Sequence, residues 1–428
     1  MINRAFVLDK NRKPLMPCPM YRAKELLGKG RAAIYRRYPF TIILKNREGG
    51  ALQEIELKTD PGSRTTGIAL VARHQRGNAV IWAGKLQHRG LAIRAALEKR
   101  RALRRGRRSR KTRYRPARFA HRTRPLGWLP PSLRSRVDNV RQWAERLCRW
   151  ALVTRIAVET VRFDLQKVDN PEISGVEYQQ GELAGYELRE YLLEKFSRKC
   201  VYCGVENVPL EVEHLTPKSR GGSNRASNLG LSCRPCNEAK GNRTAAEFGY
   251  PEVQARTKRP LRDAAAVNAT RYAIGNALKL LGLPVTFWSG GRTKYNRSRQ
   301  HYPKAHWIDA ACVGTSGQRV HLDPWMQYAE IKALGRGNRQ ACRVDRYGFP
   351  RTRGQAVKRI QGFQTGDQAR LYMPKGKYAG HHTGRIVGVR ATGILDLKTT
   401  THKISAPAHR FSLVQHFDGY DYGWRRGR

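Results

Sequence analysis

Residues 52–72, LQEIELKTDPGSRTTGIALVA, decide the fold that the sequence predicts. The first half alternates apolar and polar residues, as a strand does, and an Asp-Pro-Gly turn at 60–62 leads into a second apolar run. A third apolar run at 79–86 completes a predicted β-meander. For Asp60, a simple turn residue and a functional carboxylate both remain open interpretations at this point.

The composition points to a polyanionic partner. The chain has 428 residues and a formal net charge of +50, from 83 lysines and arginines against 33 acidic residues, and the excess is spread over much of the chain. No run of about 20 apolar residues is present, and the first residues lack the apolar core of a signal peptide. We therefore expect a protein of a reducing, cytoplasmic compartment, where cysteines are poor candidates for disulfides.

Residues 89–124 form a strongly biased segment, with Glu98 as its single acidic residue. The first half is rich in helix formers, and arginines recur close to one helical face from Arg94 to Arg108. Arginines on all sides predict a helix surrounded by phosphates. The alternative for such a charge run is a solvated face or a tail that binds nucleic acid.

Two further carboxylates occur where a functional role is plausible. Glu159 ends the apolar strand RIAVET, where an unpaired carboxylate is costly, and Asp309 opens an alanine-rich helix with His306 close before it. Three carboxylates from separate segments, Asp60 included, suit a site for two Mg²⁺ ions that activates water and stabilises a leaving oxygen.

Four cysteines have the spacing of a structural zinc site. Two Cys-x-x-Cys pairs can close a tetrahedral shell with no open position for substrate. Free buried thiols or redox cysteines are the alternatives. The four residues are Cys200, Cys203, Cys233 and Cys236.

Because four sulfurs complete such a shell, His214 is not needed as a zinc ligand. Glu213 precedes it, and Asn228 and Asn237 flank the second cysteine pair. Carboxylate and amide oxygens suit one Mg²⁺ ion, and a neutral imidazole can deprotonate water for attack on phosphorus. The plainer interpretation is a loop histidine that is hydrogen-bonded to the backbone.

The segment around His214 resembles the HNH nuclease motif, a ββα-metal hairpin and helix whose hairpin ends are held by a zinc knuckle pair. The resemblance implies that His214 is the general base, that Glu213 and Asn237 bind Mg²⁺, and that Asn228 orients the histidine loop. Asn237 stands where some members of the family have a second histidine.

The segments around Asp60, Glu159 and the pair His306 and Asp309 resemble the three pieces of a split RuvC domain, a branch of the RNase H fold. An HNH module between the second and third pieces, with an arginine-rich helix after the first, resembles the RNA-guided effectors of type II CRISPR systems and their transposon-encoded relatives. Residues 13–44, which begin KPLMPCP, resemble the PLMP segment of the IscB family.

The resemblance implies a multidomain α/β protein: a split RNase H-like RuvC domain with an inserted ββα-metal HNH domain, an arginine-rich bridge helix and an N-terminal PLMP domain. From about residue 340, short strands separated by glycine turns predict a small, separate C-terminal β-barrel. The expected limits are 1–51 for the PLMP domain, 52–88, 126–172 and 251–335 for the RuvC pieces, 89–125 for the bridge helix, 173–250 for the HNH domain and 336–428 for the C-terminal domain.

The resemblance also implies an RNA-guided DNA endonuclease. A structured guide RNA of the omega type would pair with one strand of double-stranded DNA, the HNH site would cut that strand, and the RuvC site would cut the displaced strand. The C-terminal domain would contact RNA and a target-adjacent motif. Two Mg²⁺ ions in RuvC, one in HNH and a structural Zn²⁺ are implied, in a monomer within a prokaryotic, cytoplasmic ribonucleoprotein.

Within the bridge helix, the implied RNA contacts are Arg94, Arg101, Arg104, Arg105, Arg107, Arg108, Arg110 and Lys111. Two other functions stay open on the sequence alone. One is a protein-guided HNH/RuvC endonuclease or resolvase, and the other is a non-catalytic RNA-binding protein with zinc knuckles. Acidic residues that face phosphates argue against the second.

Overall fold

The computed structural model describes residues 4–108, 125–160, 189, 192–193, 195–223, 225–257, 262–335, 344–353 and 359–427. Arg110 and Lys111, which the sequence nominates for RNA binding, lie outside the described residues.

The N-terminal segment forms a small α+β unit. Four strands pair in the order β2-β1-β4-β3, with β1 and β4 parallel, and one helix packs on them. The elements are β1 (Arg4–Leu8), β2 (Pro14–Pro19), α1 (Met20–Gly28), β3 (Ala32–Arg36) and β4 (Thr41–Leu44).

A central sheet collects strands from distant parts of the chain. Its main path runs β11-β8-β5-β6-β7-β13-β19, and β12 pairs with β7 beside this path. The strands are β5 (Ile55–Pro61), β6 (Thr65–His74), β7 (Gly77–Gln87), β8 (Val153–Glu159), β11 (Val285–Trp288), β12 (Val320–His321), β13 (Gln327–Ala333) and β19 (Tyr420–Arg426).

The predicted meander is present, because β5, β6 and β7 pair antiparallel in sequence order. Two strands from later segments extend the sheet on the β5 side: β8 is parallel to β5, and β11 is parallel to β8. The three segments that carry the predicted carboxylates therefore build a single sheet.

The helices that pack on the faces of the central sheet are α3 (Pro131–Trp150), α6 (Arg262–Lys279) and α8 (His306–Ala311). Helix α2 (Gly90–Arg108) lies against α3, and α7 (Gly290–Arg299) lies against α8. On one face, Val140, Trp143 and Leu147 of α3 recur at helical spacing and pack with α6 against the sheet. On the other face, α8 packs against Ala69 and Val71 of β6.

Strand β5 differs from an ordinary amphipathic strand, which exposes its polar face to water. Its apolar residues face the main core under α3, yet its polar residues are buried as well. The segment that contains α8 covers the polar face, so every polar group there must find a partner inside the protein.

A separate module lies between β8 and β11 in sequence. It contains a two-stranded antiparallel hairpin followed by short helices, with its own apolar core. Its elements are β9 (Leu210–His214), a 3₁₀ turn (Lys218–Arg220), β10 (Leu229–Cys233), α4 (Arg234–Lys240) and α5 (Pro251–Thr257).

The C-terminal region forms a five-stranded antiparallel sheet in the order β17-β16-β15-β14-β18. Its strands are β14 (Gln368–Met373), β15 (Gly380–Val389), β16 (Ile394–Lys398), β17 (Lys403–Pro407) and β18 (Phe411–Gln415). The described residues show no ladder between β17 and β18, so the expected closed barrel is not confirmed. The following strand, β19, pairs with β13 of the central sheet, so the region is also less separate than expected.

Among the described residues, no helix combines the length and the apolar character that crossing a membrane would require.

Candidate active sites

Two carboxylates lie at one edge of the central sheet, where neighbouring parallel strands end. Asp60 is near the end of β5 and Glu159 ends β8, directly after the register pair Thr59 and Val158. Side chains alternate along a strand, and Val158 packs in the main core, so Glu159 points toward the opposite face. Both carboxylates are buried, with exposed fractions of 4% and 9%.

Helix α8 adds Asp309 and His306 on the same face. Asp309 is buried, and Nδ1 of His306 lies 3.4 Å from Oδ2 of Asp60. The helix comes this close because Gly67 of β6, which is paired with Asp60, has no side chain. A Cβ at Gly67 would lie 1.8 Å from the carbonyl oxygen of His306. We call Asp60, Glu159, His306 and Asp309 the carboxylate site.

Two arginines surround Asp309. Arg297 of α7 places Nη1 2.5 Å from Oδ1, and Arg198 places Nη1 3.0 Å from Oδ2. Arg198 Nη2 is also 3.8 Å from Asp60 Oδ2. Burial by itself would raise the pKa of Asp309, but the charges of Arg198, Arg297 and Lys304 outweigh burial and lower that pKa. Asp309 therefore stays ionised in the protein interior.

The carboxylate site fits Mg²⁺ in donor type, because carboxylate oxygens are the ligands that this hard ion prefers. The ligand atoms of the carboxylate site, however, are not close together. Among the described His, Cys, Asp and Glu residues, the cysteines are the group of three or more whose ligand atoms all lie within 4.8 Å of one another. The carboxylates are spread more widely, and the guanidinium of Arg198 lies between Asp60 and Asp309.

The four cysteines of the predicted zinc site come together from two places in the inserted module: Cys200 and Cys203 lie at a turn, whereas Cys233 ends β10 and Cys236 lies in α4. Their sulfurs all lie within 4.8 Å of one another, and Sγ of Cys203 is 3.7 Å from Sγ of Cys233. A tetrahedral zinc site with Zn–S bonds of about 2.3 Å has sulfurs about 3.8 Å apart. The residues therefore fit zinc. We call Cys200, Cys203, Cys233 and Cys236 the cysteine site.

The hairpin places His214 at the end of β9, opposite Leu229 of β10. Asn228 holds the loop that follows His214: its Nδ2 donates to the carbonyl oxygens of Thr216 and Ser223, both at 2.9 Å, and its Oδ1 accepts from the Thr216 N–H at 2.9 Å. This loop is tight, since a Cβ at Gly222 would lie 1.8 Å from the Thr216 oxygen. Asn228 thus orders the backbone around His214.

Glu213 is buried beside two groups that the sequence does not nominate. The Tyr202 hydroxyl donates to one carboxylate oxygen, and Nζ of Lys240 lies 3.3 Å from the other and donates to the His214 carbonyl at 2.9 Å. Burial raises the pKa of Glu213 above its usual value, although the bonds from Tyr202 and Lys240 oppose that rise.

Asn237 makes a different contact. Its Nδ2 donates to Glu211 at 2.8 Å, two residues before Glu213 on β9. The predicted metal ligands Glu213 and Asn237 therefore have different partners here, although both supply oxygens of the type that Mg²⁺ takes. We call Glu213, His214, Asn228 and Asn237 the histidine site.

The arginine-rich helix α2 has no buried residue over its whole length. The nominated side chains Arg94, Arg101, Arg104, Arg105 and Arg107 are exposed, and Arg108 is half-buried. Such a helix gains little from packing, so its length requires charged partners or a strong local propensity. This surface is the candidate nucleic-acid interface.

Four cations at these sites were not predicted from the sequence, namely Lys58, Arg198, Lys240 and Arg297. Lys58 carried a usable signal, because it is two residues before Asp60 and thus on the same face of β5. Burial lowers the pKa of Lys58 to about 8, while Glu56 nearby opposes that change. Nothing in the spacing of Arg198 or Arg297 relates either residue to Asp60.

Two family models match the chain. Residues 5–181 match the RRXRR protein family, and residues 104–108 read Arg-Arg-Gly-Arg-Arg at the end of α2. Residues 200–251 match an HNH endonuclease family, which covers the cysteine and histidine sites. The chain therefore contains an HNH endonuclease domain, and that domain indicates a nuclease.

No curated protein matches the chain. Similar solved structures include Streptococcus thermophilus Cas9 in complex with the GGAA PAM, at 14% identity over 60% of this chain and 32% of that one, with a TM-score of 0.21. The type II-C Cas9 enzyme from Actinomyces naeslundii is similar at 17% identity over 44% of this chain and 29% of that one, with a TM-score of 0.17. The chain spans about a third of the length of these proteins.

Proposed function

We propose that this HNH-containing nuclease is an RNA-guided DNA endonuclease of the IscB type, with two cutting sites. One observation carries the proposal: segments separated by about a hundred residues or more bring Asp60, Glu159 and Asp309 to one edge of a single sheet, and the HNH domain is inserted between the second and third of them. A meander extended by two parallel strands supports the RNase H-like, RuvC assignment of that sheet. The domain limits predicted from the sequence remain part of this proposal.

In the histidine site, His214 would accept a proton from the attacking water, because a neutral imidazole is a suitable base near neutral pH. Asn228 would fix the loop that presents His214, and Glu213 and Asn237 would hold one Mg²⁺. In the carboxylate site, Asp60, Glu159 and Asp309 would hold two Mg²⁺, with His306 beside Asp60. The ions would activate water and stabilise the leaving oxygen of the phosphodiester.

The cysteine site would hold Zn²⁺ in a structural role, since its four sulfurs leave no ligand position for substrate. The zinc would keep the two ends of the hairpin together and so maintain the register between β9 and β10.

Guidance by RNA rests on charge and on α2. A net charge of +50 and a helix whose arginines are mostly exposed suit a backbone of phosphates. The guide would supply sequence recognition by pairing, and the protein would read backbone geometry and a short motif beside the target. The C-terminal sheet would contact RNA and that motif.

The decisive experiment is copurification. The full chain, purified from cells that hold its genomic neighbourhood, should retain one defined, structured RNA with a variable end. Sequencing of the bound nucleic acid would contradict guidance if it gave only a random mixture, and specific cutting without RNA would favour a protein-guided endonuclease.

Strand-labelled DNA then separates the two sites. His214→Ala should leave a nickase of the displaced strand, and Asp60→Ala should leave a nickase of the strand that pairs with the guide. If both variants still cut both strands at the parental rate, the site assignments fail. If neither the two variants nor the parent protein cuts DNA, the non-catalytic RNA-binding alternative gains support.

A further inference from the structure

Two buried side chains hold the C-terminal end of α8. Nζ of Lys58 donates to two carbonyl oxygens, at 3.1 and 2.7 Å, and Nδ2 of Asn296 donates to two others, both at 2.9 Å. Lys58 and Asn296 are each 0% exposed. The carbonyl groups belong to four consecutive residues, in the order Ala311, Cys312, Val313 and Gly314, and Lys58 and Asn296 bind them alternately. We call Lys58 and Asn296 the carbonyl clamp.

Each clamp residue is close in sequence to a residue of the carboxylate site or its surroundings. Lys58 precedes Asp60 by two positions on β5, so both point to the same face. Asn296 directly precedes Arg297, whose guanidinium contacts Asp309. Strand β5 therefore supplies Lys58 to the clamp and Asp60 to the carboxylate site. Helix α7 supplies Asn296 to the clamp and Arg297 as a partner of Asp309.

The clamp acts on a short helix that would otherwise be weakly held. Helix α8 has only six residues and ends at Ala311, so the other three carbonyl groups of the clamp belong to the residues that directly follow the helix. A carbonyl group that is buried without a partner is costly, so the clamp makes other positions of this segment, and of the helix that leads into it, unfavourable. A lysine ammonium also interacts favourably with the negative end of the helix dipole.

The other end of α8 is held by packing. The His306 carbonyl rests against Gly67, where no side chain could fit, and Asp309 lies between this contact and the clamp. The helix is therefore fixed at both ends, and its position along β5 sets the separation of Asp309 from Asp60.

We propose that Lys58 and Asn296 are positioning residues of the carboxylate site, which hold α8 so that Asp309 faces Asp60. The inference rests on the proposed function, because it assumes that this site cuts DNA. Neither residue touches substrate in this role. Each acts through the backbone of the helix that bears Asp309.

The test uses the full chain with its copurified RNA and compares Lys58→Met and Asn296→Leu with the parent. Both changes keep the side-chain size nearly constant and remove the donors. A displacement of about 1 Å at a reacting centre costs about 100-fold in rate, so cleavage of the displaced strand should slow by about that factor. Cleavage of the paired strand should keep its parental rate, and the Mg²⁺ concentration for half-maximal cutting of the displaced strand should rise.

Ile55→Val is the matched control. Ile55 is buried on the same strand but packs in the main core, so the change lowers stability modestly without touching the clamp. If this control reproduces the strand-selective loss, the clamp has only a structural role and the inference is overturned. Parental rates on both strands for Lys58→Met and Asn296→Leu would overturn it as well.

A second readout does not depend on cutting. Paramagnetic resonance of Mn²⁺ on the purified protein should show that Asp60→Asn removes a class of bound ion, and both clamp variants should weaken that class about tenfold, as a pair of misplaced ligands would. If Asp60→Asn changes neither binding nor cleavage, the proposed function of this site fails. If Asp60→Asn abolishes both while the clamp variants match the parent, only the inference about the clamp fails.

Discussion

The cysteine site and the carboxylate site are assembled in opposite ways. The cysteine ligands come from one module, between residues 200 and 236, and the hairpin connects the turn with the first pair directly to the junction of β10 and α4 with the second pair. The carboxylates come from Asp60, Glu159 and Asp309, and only the pairing of β5 with β8 and the packing of α8 bring them together. A local site depends on its metal, whereas a distributed site depends on the sheet and its packing. The two should therefore fail under different changes.

The largest difference should appear when zinc is removed. Cys236→Ser breaks the shell, and structural zinc sites contribute on the order of 10–16 kcal/mol to the folding of small domains. Residues 200–251 should lose hydrogen-exchange protection and paired-strand cleavage should disappear, while the central sheet stays protected. Zinc content by mass spectrometry and exchange rates measure this. Cys18→Ser, at a half-buried cysteine of the N-terminal unit, should change neither.

Gly67→Ala should break the carboxylate site alone. The new Cβ would lie 1.8 Å from the His306 oxygen, so α8 must move, and overpacking of this kind costs about 1–3 kcal/mol. Displaced-strand cleavage should fall by about 100-fold while zinc content and paired-strand cleavage keep their parental values. Gly28→Ala is the control, since a Cβ added at Gly28 would have no other atom within 4 Å. Equal loss on both strands would show that the two sites are not independent.

Gly222→Ala is the counterpart in the histidine loop. Its Cβ would lie 1.8 Å from the Thr216 oxygen, which also accepts a bond from Asn228. A surface loop yields more readily than a packed helix, so we expect a loss of about tenfold in paired-strand cleavage. Zinc content and displaced-strand cleavage, measured on the same samples, should not change. A loss of zinc would mean that the cysteine and histidine sites act as one unit.

The smallest effect should come from Arg198→Gln, as a shift in pH dependence. The lowered pKa of Asp309 means that the ionised carboxylate stabilises the fold above pH 3.8 and that this contribution is lost as the pH falls through the lowered value. Without the charge of Arg198 the pKa of Asp309 rises, so the acid limb of displaced-strand cleavage should move to higher pH. The paired-strand profile is the internal control, and an unchanged acid limb would separate Asp309 from the rate.

The contrast between a local and a distributed site also explains how much of each site could be predicted from the sequence. The cysteine spacing is local, so the cysteine site could be predicted from it, whereas the hairpin with His214 and the role of Asn228 were implied by the resemblance to the HNH motif. The meander and the helix that begins at His306 were also predictable, because apolar periodicity is strong there.

The missed residues are those whose role depends on long-range packing. Arg198 reaches Asp60 and Asp309 only because the inserted module lies against the sheet, and no local pattern encodes that contact. Lys58 looks like the exposed face of an amphipathic strand until α8 covers it. The barrel expected in the tail is not confirmed for a related reason, since strand count and glycine turns do not say which edges pair.

The neighbour relations of the central sheet also have an evolutionary consequence. The HNH module follows β8, and the chain returns through α6 to β11, which is the neighbour of β8. The C-terminal sheet follows β13, and the chain returns to β19, which is the neighbour of β13. Each of these two inserted regions therefore begins and ends at adjacent strands of the central sheet. Either one can grow, shrink or be exchanged during descent without reordering the sheet between them, so variation in size can accumulate in these two places while the edge that carries Asp60 and Glu159 keeps its geometry.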